Sequence, residues 1–460
     1  MDISVSIIVP AYNASATIRR CLDSIIPQMD GSMELIVVDD ASEDDTLKIL
    51  LNDYQRSSVH VLSSNVNHGV AYARNNGIRF SRGSMVAFCD ADDEWLPGKI
   101  DAQLSWMAEH PEADMVFVRN TNVRDDDSQK AGLLMDLASG DDQCHLFSSL
   151  IRKSVFDRVG LLDEGMKVRE DTEWLVRAMS SGAKWHVLDE CMYCRHLSET
   201  GLSSSVSLEE GDRGRRKADA FIRGLRRKEF RNDSDIALSI LIPCRNAARY
   251  IAQAISSCRS SFRNEVIVVD DGSDDGSVRE TLEVLKNCGM PSTSAVRVHR
   301  GQAASRNDAL SLARGAWIMY LNADDYFYEG ALDEAMRQAG GAGPEVSLLS
   351  FLCRDFISPE LTPSQAAMLS ANPEPYRRML AGCMLARKSL FDLIGGFDES
   401  LPSSETAQWV LRVRESGTVI MNSDLITLAR RYHMTNFGRT NRATQMESYL
   451  AIIRARMQKK

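Results

Sequence analysis

The chain repeats itself. SVSIIVPAYN near the start returns as LSILIPCRN near the middle, with Pro10 and Pro243 lying 233 positions apart. LIVVDDASEDDT returns as VIVVDDGSDDGS, which places Asp40 and Asp271 231 apart. Arg74 pairs with Arg306 and Asp92 with Asp324 at 232, Trp174 with Trp409 at 235, and His196 with His433 at 237. Blocks kept in one order at a nearly constant offset describe two copies of one module, and the drift is what loop insertions between fixed elements produce. A chain of 460 residues also exceeds one ordinary core and suits two domains of roughly 200–250 residues. The boundary is expected in the polar RNDSD stretch, giving domains 1–231 and 232–460.

Within the first copy, short β-branched runs at 6–9 and 35–38 flank a helical pattern over 16–26, with Ile18, Cys21, Leu22, Ile25 and Ile26 on one face. Strand, helix, strand implies parallel pairing through a right-handed crossover. A helix over 46–54, a strand at 59–62, a helix over 70–80 and a strand at 85–89 continue the pattern. The expected fold class is α/β, with an open, mostly parallel sheet flanked by helices in each domain. Ligands of such sheets sit beyond the carboxyl ends of the strands, where Asp39, Asp40 and Asp90 to Asp93 fall.

Charge and composition narrow the classes. A net charge of -10 argues against a nucleic-acid partner, whose footprint is basic, but leaves room for an anionic ligand bridged to carboxylates by a metal ion. No apolar run approaches the ~20 residues of a membrane helix, and the N-terminus has no basic segment of a secretion signal. The ten cysteines lie mostly in apolar segments, as buried free thiols do in a reducing compartment. Cys191 and Cys194 form a CxxC without a second pair, which reads as strand rather than zinc site. Each copy ends in a basic helical tail, with Ala218, Phe221, Ile222 and Leu225 on one face of the first and Tyr449, Ile452 and Ile453 on one face of the second. Such a helix packs on its own module with a solvated basic face, or lies on an anionic membrane surface. The expected location is the cytoplasm, with peripheral contact at the inner face of the membrane as the variant the tails allow.

Asp90, Asp92 and Asp93 follow a buried strand and precede Trp95. Clustered acids repel unless a cation sits among them, and a divalent ion held by one or two carboxylates plus substrate phosphates is the usual answer; a solvated turn capping a helix is the plainer one. Asp39 and Asp40 form a capping pair for the next helix, or one of the two carboxylates accepts a uracil imide N–H or a ribose hydroxyl. Arg74 binds a phosphate in bidentate fashion, or pairs with a neighbouring acid.

The ordered set PAYN, VVDDAS, ARNNGI, DADDEW, an ED pair before Trp174 and a late Arg-His closely resembles family 2 glycosyltransferases of the GT-A fold. The resemblance covers about residues 3–205, and again about 237–436 through PCRN, VVDDGS, SRNDAL, NADDYF, GGFDESL, SETAQW and YH. It implies inverting transfer of a sugar from a nucleotide-diphosphate donor, usually UDP-linked with Mn2+ or Mg2+, to a hydroxyl of a glycan, lipid-linked or peptide acceptor. Surface glycan synthesis is the family-level expectation. By the same resemblance Pro10, Ala11 and Tyr12 line the base pocket, Asp40 reads the uracil and Asp90 lies near the ribose. Asp92 ligates the metal, with His196 approaching the metal or diphosphate. Arg74 and the metal neutralise the leaving group, Asp171 is the base, and Glu170 takes part in acceptor binding.

The second copy keeps Asp271, Arg306, Asp324, Asp325 and His433. It has Arg245 for Tyr12, Asn322 for Asp90 and, with Glu405 retained beside it, Thr406 for Asp171. Threonine is no general base near neutral pH. Both copies are therefore expected to hold a metal-bound nucleotide, and the first alone to use it. The competing readings are a bifunctional transferase and, outside enzymes, a sugar-nucleotide or glycan-binding scaffold. A nucleotidyltransferase would want a glycine-rich phosphate loop, which PAYNAS is not.

Overall fold

The structure, a computed structural model, describes residues 3–54, 58–124, 144–167, 169–197, 236–378, 380–401 and 403–435. The chain divides into two compact units, Met1–Asn232 and Asp233–Lys460. Both basic tails, the RNDSD stretch and residues 125–143 of the expected acceptor region lie outside the described residues.

The first unit carries β1 (Val5–Ala11), β2 (Met33–Asp39), β3 (Val59–Ser64), β4 (Met85–Phe88), β5 (Glu94–Trp95), β6 (Met115–Arg124), β7 (Ser149–Arg152) and β8 (Trp185–Leu197). Pairing gives the order β3-β2-β1-β4-β7-β6-β8-β5. All neighbours are parallel except β7 against β4 and β6, and β5 against β8. The helices Ile18–Ile25, Thr46–Asp53 and Val70–Phe80 make the crossovers, as the apolar spacing predicts.

Because side chains alternate across a strand, β1 serves two cores. Ile7 and Val9 join Ile18, Leu22 and Ile25 on one side, while Ile8 joins Phe88, Phe156 and Trp174 on the other. Trp174 is fully buried, stacks on Phe156 with ring centroids 4.4 Å apart, and donates its Nε1–H to the Gly160 carbonyl at 2.7 Å. This anchors the helix Glu170–Ser180, whose first residues belong to the site described below.

The second unit repeats the plan with β9 (Leu238–Cys244), β10 (Asn264–Asp271), β11 (Ser292–Arg297), β12 (Trp317–Tyr320), β13 (Tyr326–Phe327), β14 (Val346–Ile357), β15 (Tyr376–Arg377), β16 (Met384–Arg387) and β17 (Val419–Tyr432). Its order is β11-β10-β9-β12-β16-β14-β17-β13, with β15 also on β14. Trp409 repeats the anchor, stacking on Phe391 and bonding the Gly395 carbonyl at 3.0 Å. Backbone strain repeats as well: Asn13 and Asn246, Ala41 and Gly272, and Arg169 and Ser404 all take positive φ. Non-glycine residues held there cost energy that the surrounding structure must offset. They sit one to three residues from Pro10, Asp40 and Glu170 or their counterparts, so the strained turns are those that aim the chemistry-bearing side chains.

Among the described residues no helix is long and apolar enough to cross a membrane. All ten cysteines are free thiols, and Cys191 and Cys194 lie within β8.

Candidate active site

In the first unit β1, β2 and β4 run parallel and stop at one edge, which gathers Pro10 to Tyr12, Asp39 to Asp40 and Asp90 to Asp93. Ala11 is buried and Tyr12 is 41% exposed beside it. Asp40 is buried, and its Oδ2 accepts the backbone N–H groups of His68 at 2.9 Å and Gly69 at 2.6 Å. Gly69 stands at φ 97°, a conformation costly for any side chain, and starts the helix Val70–Phe80. Its glycine thus lets the helix N-terminus close on the carboxylate. Among the described residues the other oxygen of Asp40, Oδ1, is buried without a hydrogen-bond partner, with His68 Nδ1 3.7 Å away.

The three acids after β4 divide their work. Asp90 Oδ1 accepts from Arg74 Nη2 at 2.7 Å. Asp93 is buried, accepting the Tyr193 hydroxyl at 2.8 Å and the His196 backbone N–H at 2.8 Å, so it clamps β8 to the turn. Burial, then Asp90 and Asp92, push its carboxyl well above the usual range. Asp92 alone has no side-chain partner among the described residues, and burial followed by the charge of Asp90 pushes it up too. A cation beside Asp92 would relieve both effects.

Arg74 is placed differently from the expectation that it takes a phosphate. It is buried, with Nη1 on Glu170 at 2.5 Å and Nη2 on Asp90 at 2.7 Å. Burial works against its charge, but Asp90, Glu170 and Asp171 outweigh that and hold the guanidinium more firmly charged than usual. Arg74 therefore ties the turn after β4 to the start of the helix Glu170–Ser180 as a positioning residue. Burial pushes Glu170 upward against the pull of Arg74. One residue on, Asp171 is half-buried, accepts among the described residues only its neighbour Thr172, through N–H at 2.7 Å and the hydroxyl at 3.3 Å, and acts electrostatically on Arg74.

His196 departs from its expected place beside Asp92. Its Nε2 lies 2.8 Å from Glu94 Oε1, and Arg20 Nε is 3.2 Å from the same oxygen. Among the described residues no group of three or more His, Cys, Asp or Glu is arranged to hold a metal ion. The residues fit a divalent cation only in the sparser form, a carboxylate at Asp92 completed by ligand phosphates. Sequence reasoning missed Glu94, Tyr193 and Arg20, because their roles depend on β8 folding back over the turn.

The strand register also corrects the pairing of His196 with His433. Glu94 opposes Cys194, and its counterpart Tyr326 opposes Ala429. Asp93 takes the His196 N–H just as Asp325 takes the Arg431 N–H at 2.8 Å. Arg431 thus stands where His196 stands, and His433 two residues further, with Nε2 3.1 Å from Asp324 Oδ2. Arg306 bonds Glu405 and, at 2.7 Å, the Thr406 hydroxyl, and reaches Asn322 at 3.4 Å. Where Asp171 is half-buried, Thr406 is buried and turned inward onto Arg306.

The family model of glycosyl transferase family 2 matches residues 6–168 and 239–388. Residues of this chain are 38% identical over 107 positions to the Escherichia coli UDP-Glc:alpha-D-GlcNAc-diphosphoundecaprenol beta-1,3-glucosyltransferase WfgD, covering 23% of this chain and 42% of that protein. They are 27% identical over 220 positions to the succinoglycan biosynthesis protein ExoU of Rhizobium meliloti, covering 44% and 64%. The chain thus spans less than half the length of WfgD and less than two thirds of ExoU. A solved S. aureus TarS 1-349 in complex with UDP-GlcNAc superposes with a TM-score of 0.41 at 22% identity, over 49% of this chain and 68% of that one.

Proposed function

The chain belongs to glycosyl transferase family 2, and from that premise we propose that its first unit is an inverting glycosyltransferase acting on a UDP-sugar while its second unit transfers nothing. The observation that carries this reading is the contrast at one position. Among the described residues Asp171 is a half-buried carboxylate bonded only to its neighbour, whereas its counterpart Thr406 is a buried hydroxyl held by Arg306. A general base must reach the acceptor proton and keep a free lone pair, which Asp171 does and Thr406 does not. Glu405 cannot take over, because it is buried against Arg306.

In the reaction the acceptor oxygen attacks the anomeric carbon while Asp171 takes its proton. The bond to the diphosphate breaks and its electron pair leaves with UDP, so one displacement inverts the centre. A Mn2+ or Mg2+ ion held at Asp92 would supply charge neutralisation at the diphosphate. Glu170 and Arg74 hold Asp171 and Asp90 in fixed relation, the rigid positioning that makes such a step fast. Asp40 faces the nucleobase, with Tyr12 as the exposed ring beside it. The uridine donor is supported by the similarity to WfgD, a UDP-Glc-dependent glucosyltransferase with a lipid-linked acceptor, and a glycan or lipid-linked acceptor in polysaccharide synthesis by that similarity together with the one to the succinoglycan biosynthesis protein ExoU.

The test is a screen of sugar nucleotides by UDP release in the presence of acceptor glycans, with wild type, Asp171→Asn and Asp324→Asn side by side. Loss of release in Asp171→Asn but not in Asp324→Asn is expected. The reverse pattern would assign catalysis to the second unit.

A further inference from the structure

The two units treat the same aspartate in opposite ways. Both hold it by two backbone N–H groups: His68 and Gly69 on Asp40, Arg300 at 2.8 Å and Gly301 at 2.9 Å on Asp271. Among the described residues no side chain hydrogen-bonds Asp40, whose Oδ1 has only the His68 imidazole nearby, with Nδ1 at 3.7 Å. Asp271 has a charged or imidazole partner on each oxygen. The Arg297 guanidinium, its side chain wholly buried, lies 2.9 Å from Oδ1, and His299 Nδ1 lies 2.7 Å from Oδ2. Arg297 also reaches Asp308 at 2.9 Å, and the Nε2 of His299 meets Arg245.

Counterparts in the first unit show what changed. The β2–β3 and β10–β11 registers place Arg297 where the first unit has Ser64, and the helix offset places Asp308 at Asn76. Ser64 Oγ and Asn76 Nδ2 are, like Asp40 Oδ1, buried without hydrogen-bond partners. A serine and an asparagine have thus become an arginine and an aspartate. The two changes are interdependent, since a buried guanidinium is tolerated only with its charge balanced, here by Asp271 and Asp308. Arg245, standing where Tyr12 stands, completes a chain Arg245–His299–Asp271 across the mouth of this place.

We propose that the second unit's nucleobase cleft is closed from within, Arg297 by an ion pair and His299 by a hydrogen bond occupying the Asp271 oxygens that a uracil would need, so that the chain binds one uridine nucleotide and not two. This rests on the reading that Asp40 holds the base in the first unit. It departs from the expectation that both copies hold a nucleotide. The device is electrostatic as well as steric: an imide N–H gains more from a carboxylate oxygen with an imidazole 3.7 Å away than from one held at 2.7–2.9 Å by a guanidinium or an imidazole. The second unit is then a partner to the first without a donor of its own.

Calorimetric titration of the full chain with UDP and Mn2+ tests this through stoichiometry. Wild type is expected to bind one UDP per chain, and Asp40→Asn none. The triple variant R297S/H299N/D308N, which writes the first unit's Ser64, Asn67 and Asn76 into the second, is expected to bind two, and one when Asp40→Asn is added. Two sites in wild type, or one site surviving Asp40→Asn alone, overturns the proposal. Wild type binding no UDP at all would instead sink the reading of the first unit. The triple variant would then decide the present proposal, one site supporting it and none refuting it. Should the triple variant fail to fold by circular dichroism, the wild-type and Asp40→Asn stoichiometries still decide.

Discussion

Replacing Arg74 by methionine removes the charge that joins two halves of the site while keeping much of the side chain's volume. Arg74 and Glu170 are both about 5% exposed as side chains and Asp90 is 29% exposed, so solvent screens the Arg74–Glu170 contact little. Taking one partner from a buried pair leaves an uncompensated charge and costs about 3–5 kcal/mol. For a unit of this size each kcal/mol moves the melting temperature by roughly 2–4 °C, so the first unit should melt about 6–20 °C lower. Without Arg74 the Glu170 carboxyl, already pushed up by burial, rises further. A carboxyl raised in the folded state contributes stability below its unfolded pKa that is lost as pH rises through its folded value. The penalty in R74M must therefore be larger at pH 8 than at pH 5. Scanning calorimetry at both pH values measures this, with R306M as an internal comparison. Asn322 is neutral where Asp90 is charged, so the second unit should lose less and show weaker pH dependence. A shift in R74M under about 2 °C, or one equal at both pH values, would refute the role assigned to Arg74.

Two further outcomes follow from the same geometry. Because the Asp92 side chain makes no hydrogen bond or ion pair among the described residues and His196 is bound to Glu94, Asp92→Asn should raise the Mn2+ concentration for half-maximal transfer by more than about tenfold (a loss of ~1.4 kcal/mol), whereas His196→Asn should shift it by less than about threefold; equal shifts would return His196 to the metal. Burial pushes Asp39 up to about 6, so its contribution is fully present below about pH 4 and lost as pH rises through 6. Asp39→Asn removes that dependence, and denaturant titrations should show wild type losing up to about 3 kcal/mol relative to the variant between pH 4 and 7, at ~1.4 kcal/mol per unit; parallel curves would contradict it.

The fold was largely legible because its signals are periodic. The helix over 70–80 and the strand at 59–62 fall within one or two residues of Val70–Phe80 and Val59–Ser64, since spacing alone determines which face is buried. The site was legible as a set of positions, but not as a division of labour. Asp90, Asp92 and Asp93 look alike in the sequence; which one clamps β8 depends on the turn that sends Asp93 inward to Tyr193. By letter His196 pairs with His433, while the ladder of β5 on β8 and β13 on β17 sets the register two residues away. Arg297 and Asp308 carried no motif at all. Their meaning lies in a contact between a strand end and a helix eleven residues later.

The central claim is that one carboxylate, Asp171, performs the chemistry for the whole chain. The direct measurement is the initial rate of sugar transfer by Asp171→Asn beside its donor affinity by titration. A positioned general base contributes typically ~10²–10⁴-fold, so transfer should fall by at least about a hundredfold while UDP binding stays within about twofold of wild type. Transfer within about threefold of wild type, with donor binding intact, would contradict the account and place the working base elsewhere in the chain.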